Sequence, residues 1–302
     1  MYFLIIKFLL IKEVFMSIRH LRIFITVAEC KKMSEAAQKL FITQPSVSQA
    51  IKEIEDHYGV KLFERLSKKL YITESGEYLL KYARHIVQSF DEMEMGLKNK
   101  GQNVCLRIGA TITVGSCMIN NIINKVEKEN KDISTIVTVN NTETLESMLL
   151  NSELDVAIVE GVVSHKDLIA KPICTDKLIV VVGKNHKFYN RDDISILELN
   201  KEDVISREEG SGSKKIFDNI LKNYNIDVHV KLSSTDTQSI KNAVINGRGL
   251  AVLSSMIVED ELKKGTLRKV SLKEVTMFRE ISVVYHKNKF ISNYLKCFLD
   301  SL

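Results

Sequence analysis

At 302 residues the chain exceeds the roughly 100–200 expected of one domain, so two domains are the starting expectation. Its 45% apolar and 27% charged residues are ordinary for a soluble globular protein, and its five scattered cysteines, odd in number and without a CxxC pair, exclude a disulfide framework or a cysteine zinc site. The net charge of +5 is uneven: residues 16–73 hold ten Lys/Arg against six Asp/Glu, whereas residues 74–302 hold 31 of each. A basic first quarter on a neutral remainder suits a polyanion such as nucleic acid.

Residues 1–15, MYFLIIKFLLIKEVF, are apolar but are interrupted by Lys7, Lys12 and Glu13 and lack a small-residue cleavage site. A membrane span needs about 20 apolar residues, so no anchor or signal peptide is expected. The stretch reads as an extension ahead of a start at Met16 or a flexible segment, a short interfacial helix being the alternative. From there Ile18, Leu21, Phe24, Ile25 and Ala28 recur at helical spacing. Ser34 is placed to cap a short second helix, EAAQKLF, whose Ala36–Ala37 pair leaves room for a close neighbour. A third helix starts around Thr43–Pro45, because proline is tolerated only in a first turn, and Gly59 is placed to end it. Its Val47, Ile51 and Ile54 form one apolar stripe, leaving Ser46, Ser48, Gln49 and Lys52 for outward faces. KLFERLSKKLYITESG then reads as a hairpin with Arg65, Lys68 and Lys69 around its tip. Short polar side chains opening a helix can meet base edges in a major groove while cations hold phosphates. Each serine alone is as well explained as a cap; the succession of short helix, tight turn, proline-started helix and basic hairpin favours the nucleic-acid reading.

SEAAQKLFITQPSVSQAIKEIEDHYGVKLFER, followed by ITESG, resembles the winged helix-turn-helix of LysR-type transcriptional regulators, without a gap from about Leu21 to Gly76. The resemblance implies contacts to bases and phosphates of double-stranded promoter DNA by Gln44, Pro45, Ser46, Ser48, Gln49, Arg65 and Lys68, to which the helix start at Thr43 and the outward Lys52 add two from the residues themselves. Many relatives carry Arg at the position of Gln49, so base preference there is open.

Residues 77–98 continue as a helix in which Leu79, Ala83, Ile86, Phe90, Met93 and Leu97 are spaced 4, 3, 4, 3, 4, the seam of a coiled-coil pair. A core-packing stripe explains the same spacing; the resemblance implies dimerisation through this helix. KNKGQN (98–103) is a linker.

From Val104 short aliphatic strands alternate with helices: CLRIGA, ISTIVTV, DVAIVE, KLIVVVG, GLAVLS and EISVVY. That alternation predicts a mainly parallel sheet with helices on both faces and ligands beyond the carboxyl ends of strands. Four stretches there carry hydroxyl, glycine or acidic residues: ATITVGS (110–116), EG (160–161), EEGSGS (208–213) and STDT (234–237). Helix capping accounts for each singly; as donors together they lean toward an anionic ligand, and GSGS lacks the spacing of a phosphate-binding P-loop.

The resemblance implies the rest: an α/β protein with an N-terminal winged helix-turn-helix (16–76), a long linker helix and hinge (77–103), then a two-lobed α/β effector domain resembling a periplasmic binding protein. Lobe one would span 104–175 and 280–302, and lobe two 176–279. Thr111, Thr113 and Glu160 would face Ser211, Ser213 and Thr237 across an effector cleft. The function expected is a cytoplasmic, sequence-specific regulator, a homodimer or homotetramer that meets RNA polymerase at its promoters, needing no cofactor or metal and no membrane. The seven histidines form no HExxH or HxH pattern, and neither GxSxG nor GxGxxG occurs, which sets against an enzyme fused to a DNA-binding module. Asp155 and the pair Asp192–Asp193 read as strand-edge and helix-cap residues. A DNA-binding architectural protein without sequence preference is the other alternative; the balanced charge beyond residue 73 opposes it.

Overall fold

The computed structural model describes residues 16–66, 69–98, 104–163 and 165–302. The expectations for residues 1–15, for Lys68 and for the linker at 99–103 lie outside the described residues. The chain divides into two compact units at about residue 100.

In the first unit, α1 (Ile18–Cys30) opens on a capping box between Ser17 and His20 and buries Leu21, Phe24 and Val27. Helix α2 (Met33–Lys39) starts earlier than expected, so Ser34 lies inside it and does not cap it. Lys32 occupies the cap position and binds Glu35 at 2.9 Å, which secures the first turn without a hydroxyl. Ala36 and Ala37 are buried where α2 meets its neighbours. The turn that follows places Phe41, 95% exposed, at φ 54°. Helix α3 (Gln44–Tyr58) follows the local signals closely: Thr43 accepts from the Ser46 N–H, Pro45 sits in the first turn, and Gly59 ends the helix at φ 66°. Val47, Ile51 and Ile54 are buried against α1 and α2.

Strands β1 (Phe63–Leu66) and β2 (Lys69–Ile72) form the antiparallel wing, in register from Phe63↔Ile72 to Leu66↔Lys69. Glu55 anchors it to α3. Its buried carboxylate accepts from the backbone N–H of Leu62 at 2.9 Å and of Phe63 at 3.4 Å, and pairs with Lys61 at 2.6 Å. Helix α4 (Glu74–Lys98) is one uninterrupted helix of 25 residues beginning inside the span expected for the wing domain. Gly76 makes that possible, since a Cβ there would run into the Leu62 carbonyl and the Ile72 side chain. Gly76→Ala is expected to lower the stability of this unit by about 1–3 kcal/mol through overpacking. Urea unfolding followed by helix content checks it; an unchanged midpoint would mean that the wing yields freely.

The second unit has two pairs of core clusters, one pair per lobe. In lobe one, β3 (Val104–Ala110), β4 (Ile133–Val139) and β5 (Val156–Glu160) run parallel. Ile108, Ile158 and Ile281 pack one face against α5 (Ile112–Cys117), α6 (Ile119–Glu129) and the last helix (Asn293–Asp300); Ala157, Val159 and Val284 pack the other against α7 (Thr142–Leu150). In lobe two, β6 (Leu168–Gly183) pairs antiparallel with β10 (Ala251–Ser254) and β11 (Leu267–Leu272). Alternation within its apolar run splits the core: Val180 and Val182 join the cluster with α8 (Gly212–Asn223), Ile179 and Val181 the one with α9 (Thr237–Ile245). Strand β7 (Asp193–Ile194) extends β11, and a separate parallel pair joins β8 (Asp203–Arg207) to β9 (His229–Ser234).

The expectation of a mainly parallel sheet is corrected by two long strands. Strand β6 and strand β12 (Met277–His286) each pass from one lobe to the other and pair antiparallel along their length, so the central sheet is mixed. Their register shifts between Ile281 and Ser282, opposite Pro172, which has no N–H to give the ladder. Strands β7, β8, β9 and β11 and the first half of β6 were not anticipated; they are short, or broken by Pro172 and charged residues, and lack clean alternation.

Candidate functional site

The N-terminal unit presents the face of α3 and its wing. Gln44, Pro45, Gln49 and Lys52 are exposed and Ser48 is half-buried. Thr43 and Ser46 are also exposed, but their hydroxyls bond each other at 2.8 Å and close the cap, so the capping reading holds for this pair. Gln49 Nε2 donates to Glu53 Oε1 at 2.9 Å. Arg65 on β1, Lys69 on β2 and Lys52 have no ion partner among the described residues. The face thus offers amides, one serine hydroxyl, the Pro45 ring and cations without an ion partner among the described residues.

The seam expected along α4 divides. Ala83 is fully buried in the unit's own core and Leu79 packs at its edge, because α4 must cover α1 before it can meet anything else. Ile86, Met93 and Leu97 are 43%, 50% and 75% exposed, and Phe90 is half-buried. Tyr78 and Tyr82, which the seven-residue spacing passes over, are exposed as well, their rings 5.1 Å apart. The apolar surface left for a partner therefore includes two tyrosines and omits Ala83.

In the second unit a cavity of about 420 Å³ lies between the lobes. Ile112, Ser116 and Cys117 line it from lobe one; Thr235–Gln238, Lys241 and the segment around Met256–Asp260 line it from lobe two. Of the six effector residues read from sequence, Thr237 alone is on this wall. Its hydroxyl is buried without a hydrogen-bond partner, which suits a ligand; the hydroxyl of Thr111, next to the wall residue Ile112 at the start of α5, is buried and unpartnered as well. Ser211 and Ser213 are buried and bond each other at 3.0 Å. They sit where lobe two abuts lobe one: a Cβ on Gly212 would lie 2.8 Å from the Glu160 carbonyl oxygen.

Thr113 and Glu160 are committed internally, by a residue that sequence reading missed. Arg279, on β12 where it crosses between lobes, is buried with its guanidinium surrounded. It donates to Glu160 Oε2 at 2.6 Å, Asp176 Oδ2 at 2.7 Å and Thr113 Oγ1 at 2.8 Å. Asp176 in turn accepts from Ser254 at 2.8 Å, and Glu160 from the Thr113 N–H at 3.0 Å. The signal was an arginine inside MFREISVVY and an aspartate leading KLIVVVG, charges at the edges of runs otherwise bound for the core.

The charged side chains of the wall are mostly acidic, three carboxylates against one lysine. Lys241 is paired with Glu261 at 2.7 Å, Asp236 caps α9 by accepting from Gln238 and Ser239, and Glu259 and Asp260 stand at the rim. Burial, followed by Asp176 and Glu160, pushes the Cys117 thiol up, which disfavours the thiolate. Asp155 pairs with Arg107 and Lys289, each at 2.8 Å; burial raises its pKa, but these cations outweigh that and hold it below the usual carboxylate range. Asp192 and Asp193 pair with Arg268 and Lys273. Asp155 stands at the start of β5 as read, but Asp192 and Asp193 cap no helix: Asp193 lies in β7, and Ser195 caps the short helical turn that follows. Among the described residues no group of His, Cys, Asp and Glu is arranged to hold a metal, and no helix is long and apolar enough to cross a membrane.

Comparison with known proteins decides the family. Residues 18–77 match the bacterial regulatory helix-turn-helix of the lysR family, and residues 100–302 match the LysR substrate-binding domain. The chain belongs to the LysR family of transcriptional regulators. The RuBisCO operon transcriptional regulator of Allochromatium vinosum is 30% identical over 278 residues, 91% of this chain and 92% of that one. Full-length OxyR of Pseudomonas aeruginosa, in a cysteine-substituted form, shares the fold at TM-score 0.71 and 23% identity, covering 95% of this chain and 94% of that one. The regulatory domain of Synechocystis CcmR in complex with 2-PG superposes at TM-score 0.61 and 27% identity, covering 65% of this regulator and 94% of that domain. Winged helix-turn-helix, long helix and mixed α/β domain in this LysR-type chain are those the resemblance implied.

Proposed function

We propose that this LysR-type regulator is a cytoplasmic, sequence-specific DNA-binding protein controlled by a small molecule held in its inter-lobe cleft, and that its regulatory step ends at RNA polymerase. Two copies pair through the exposed stripe of α4, and the α/β domains extend that pairing to a tetramer. In each copy α3 enters the major groove, where Gln44, Ser48 and Gln49 face bases while Lys52, Arg65 and Lys69 meet phosphates. The observation that carries the effector reading is the pair of buried, unpartnered hydroxyls of Thr111 and Thr237 beside a cavity of about 420 Å³.

An anionic metabolite fits with one restriction. Lys241 is the cation on the wall, and an acid would have to draw it from Glu261. Asp236, Glu259 and Asp260 oppose a highly charged ligand, so a small acid with one or two charges is favoured. The 2-PG bound by the CcmR domain is the first probe to try. Effector binding shifts DNA affinity only as far as the ligand prefers one lobe arrangement over the other.

The test pairs one variant from each site. Ser48→Ala should weaken the best DNA sites by ~1–3 kcal/mol while leaving random DNA unchanged. Thr237→Val should leave DNA binding intact and weaken the response to the cleft ligand about tenfold, the worth of one hydrogen bond. A Ser48 variant that loses equally on both DNAs would make that serine a backbone contact, and an unaltered response in the Thr237 variant would remove it from the effector site.

A further inference from the structure

One polar side chain on the exposed face of α3 is not free to turn. The Gln49 carboxamide gives Nε2 to Glu53 Oε1 at 2.9 Å, one helical turn further along. Glu53 is itself held from a second helix: His20 Nε2 on α1 lies 3.0 Å from Glu53 Oε2, and His20 Nδ1 lies 2.8 Å from Ser17 Oγ. The Gln49 amide and then His20 keep the Glu53 carboxyl below its ordinary range, so it is a charged acceptor at neutral pH. A carboxylate accepts and cannot donate, so only the NH2 branch of the amide can make this contact. Oε1 is thereby assigned to the opposite branch, where it has no partner among the described residues.

We propose that Glu53 is a specificity-determining residue: by holding Nε2 of Gln49 it presents Oε1 to the DNA, so that Gln49 selects a base with an exocyclic amine, adenine first and cytosine second. The inference rests on the reading that α3 lies in the major groove. There adenine shows its N6 amine and cytosine its N4 amine, whereas guanine and thymine show carbonyl oxygens that would face Oε1 acceptor to acceptor. Adenine ranks above cytosine because its N7 can also take the second Nε2 proton, completing a bidentate pair. The expected discrimination against guanine and thymine is on the order of tenfold. Glu53 need not touch DNA; it acts through the orientation of Gln49.

Selection of binding sites from a random duplex library, using the full chain, tests this with wild type, Gln49→Ala, Glu53→Ala and Glu53→Lys. Gln49→Ala should flatten one position per half-site, where the wild type selects adenine and then cytosine. Glu53→Ala frees the amide to flip, and guanine and thymine should enter at that position. Glu53→Lys is the sharper variant: lysine only donates, so it holds Oε1, turns the NH2 outward and shifts the choice to guanine or thymine. Read as base identity, this result is independent of the extra affinity that a new cation brings. Glu53 variants that select the same base as wild type, while Gln49→Ala changes it, would overturn the proposal, as would a wild-type choice of guanine or thymine there. Selection of no sequence by the wild type would instead overturn the regulator reading beneath it.

Discussion

Replacing Arg279 by methionine is expected to destabilise the effector domain by about 3–5 kcal/mol, the range for removing one partner of a buried ion pair. The size follows from what stays behind. Glu160 and Asp176 are buried carboxylates whose oxygens point at the guanidinium from two directions, and Thr113 loses its donor with them. Methionine fills much of the volume but answers none of these acceptors, and two like charges are left facing each other. The three acidic and basic residues come from β5, β6 and β12, so the loss falls on the crossing between lobes. Arg279→Lys keeps one charge without the fork that reaches both carboxylates, and should sit between methionine and wild type. Thermal and urea unfolding of the full chain measure it. A methionine variant within 1 kcal/mol of wild type would mean that water enters the cluster and takes over the arginine's bonds.

The second large effect is expected on α4. Ile86→Asp combined with Met93→Asp puts two carboxylates on the exposed apolar stripe and should break the pairing through this helix, leaving only the contacts between α/β domains to join copies in solution. Both side chains are already half exposed, so the N-terminal core is spared. Two half-sites read by copies no longer joined at α4 lose the effective concentration that this pairing supplies, and affinity for a full operator should fall on the order of 10²–10⁴-fold. Sedimentation gives the mass and titration against a two-half-site duplex gives the affinity. Ala83→Asp is not an equivalent test, since that side chain lies in the unit's own core. A variant that keeps the wild-type mass and binds as wild type would move the main dimer contact off this helix.

The N-terminal unit was legible because its signals are local. Thr43, Pro45 and Gly59 fix the ends of α3 within a few residues of chain, and the buried stripe of Val47, Ile51 and Ile54 follows from 3.6-residue periodicity. Ser34 misled, since a hydroxyl before an alanine pair mimics a cap, whereas Lys32 and Glu35 stabilise the first turn one step earlier. What was not legible depends on residues far apart in sequence. Glu160, Asp176 and Arg279 span 119 residues from first to last and become one cluster only when β6 and β12 cross. The same crossing makes the sheet mixed, which alternation of strands and helices cannot foretell. On α4, periodicity found the stripe but could not say which part α1 would claim, so Ala83 was assigned outward and Tyr82 passed over. A cavity does lie between the lobes, yet hydroxyl content alone could not separate Thr237 on its wall from Thr113, whose hydroxyl is taken by Arg279.

The central claim is that this chain reads DNA sequence, and binding to the fragment upstream of its own gene against a random duplex of equal length tests it most directly. Both titrations belong at two salt concentrations, because phosphate contacts alone give a steep salt slope on any DNA. At least 10³-fold tighter binding to a site within the upstream fragment is expected, with the preference retained at the higher salt. Equal affinity for both duplexes, falling together as salt rises, would contradict it and leave a basic wing that binds DNA without reading it.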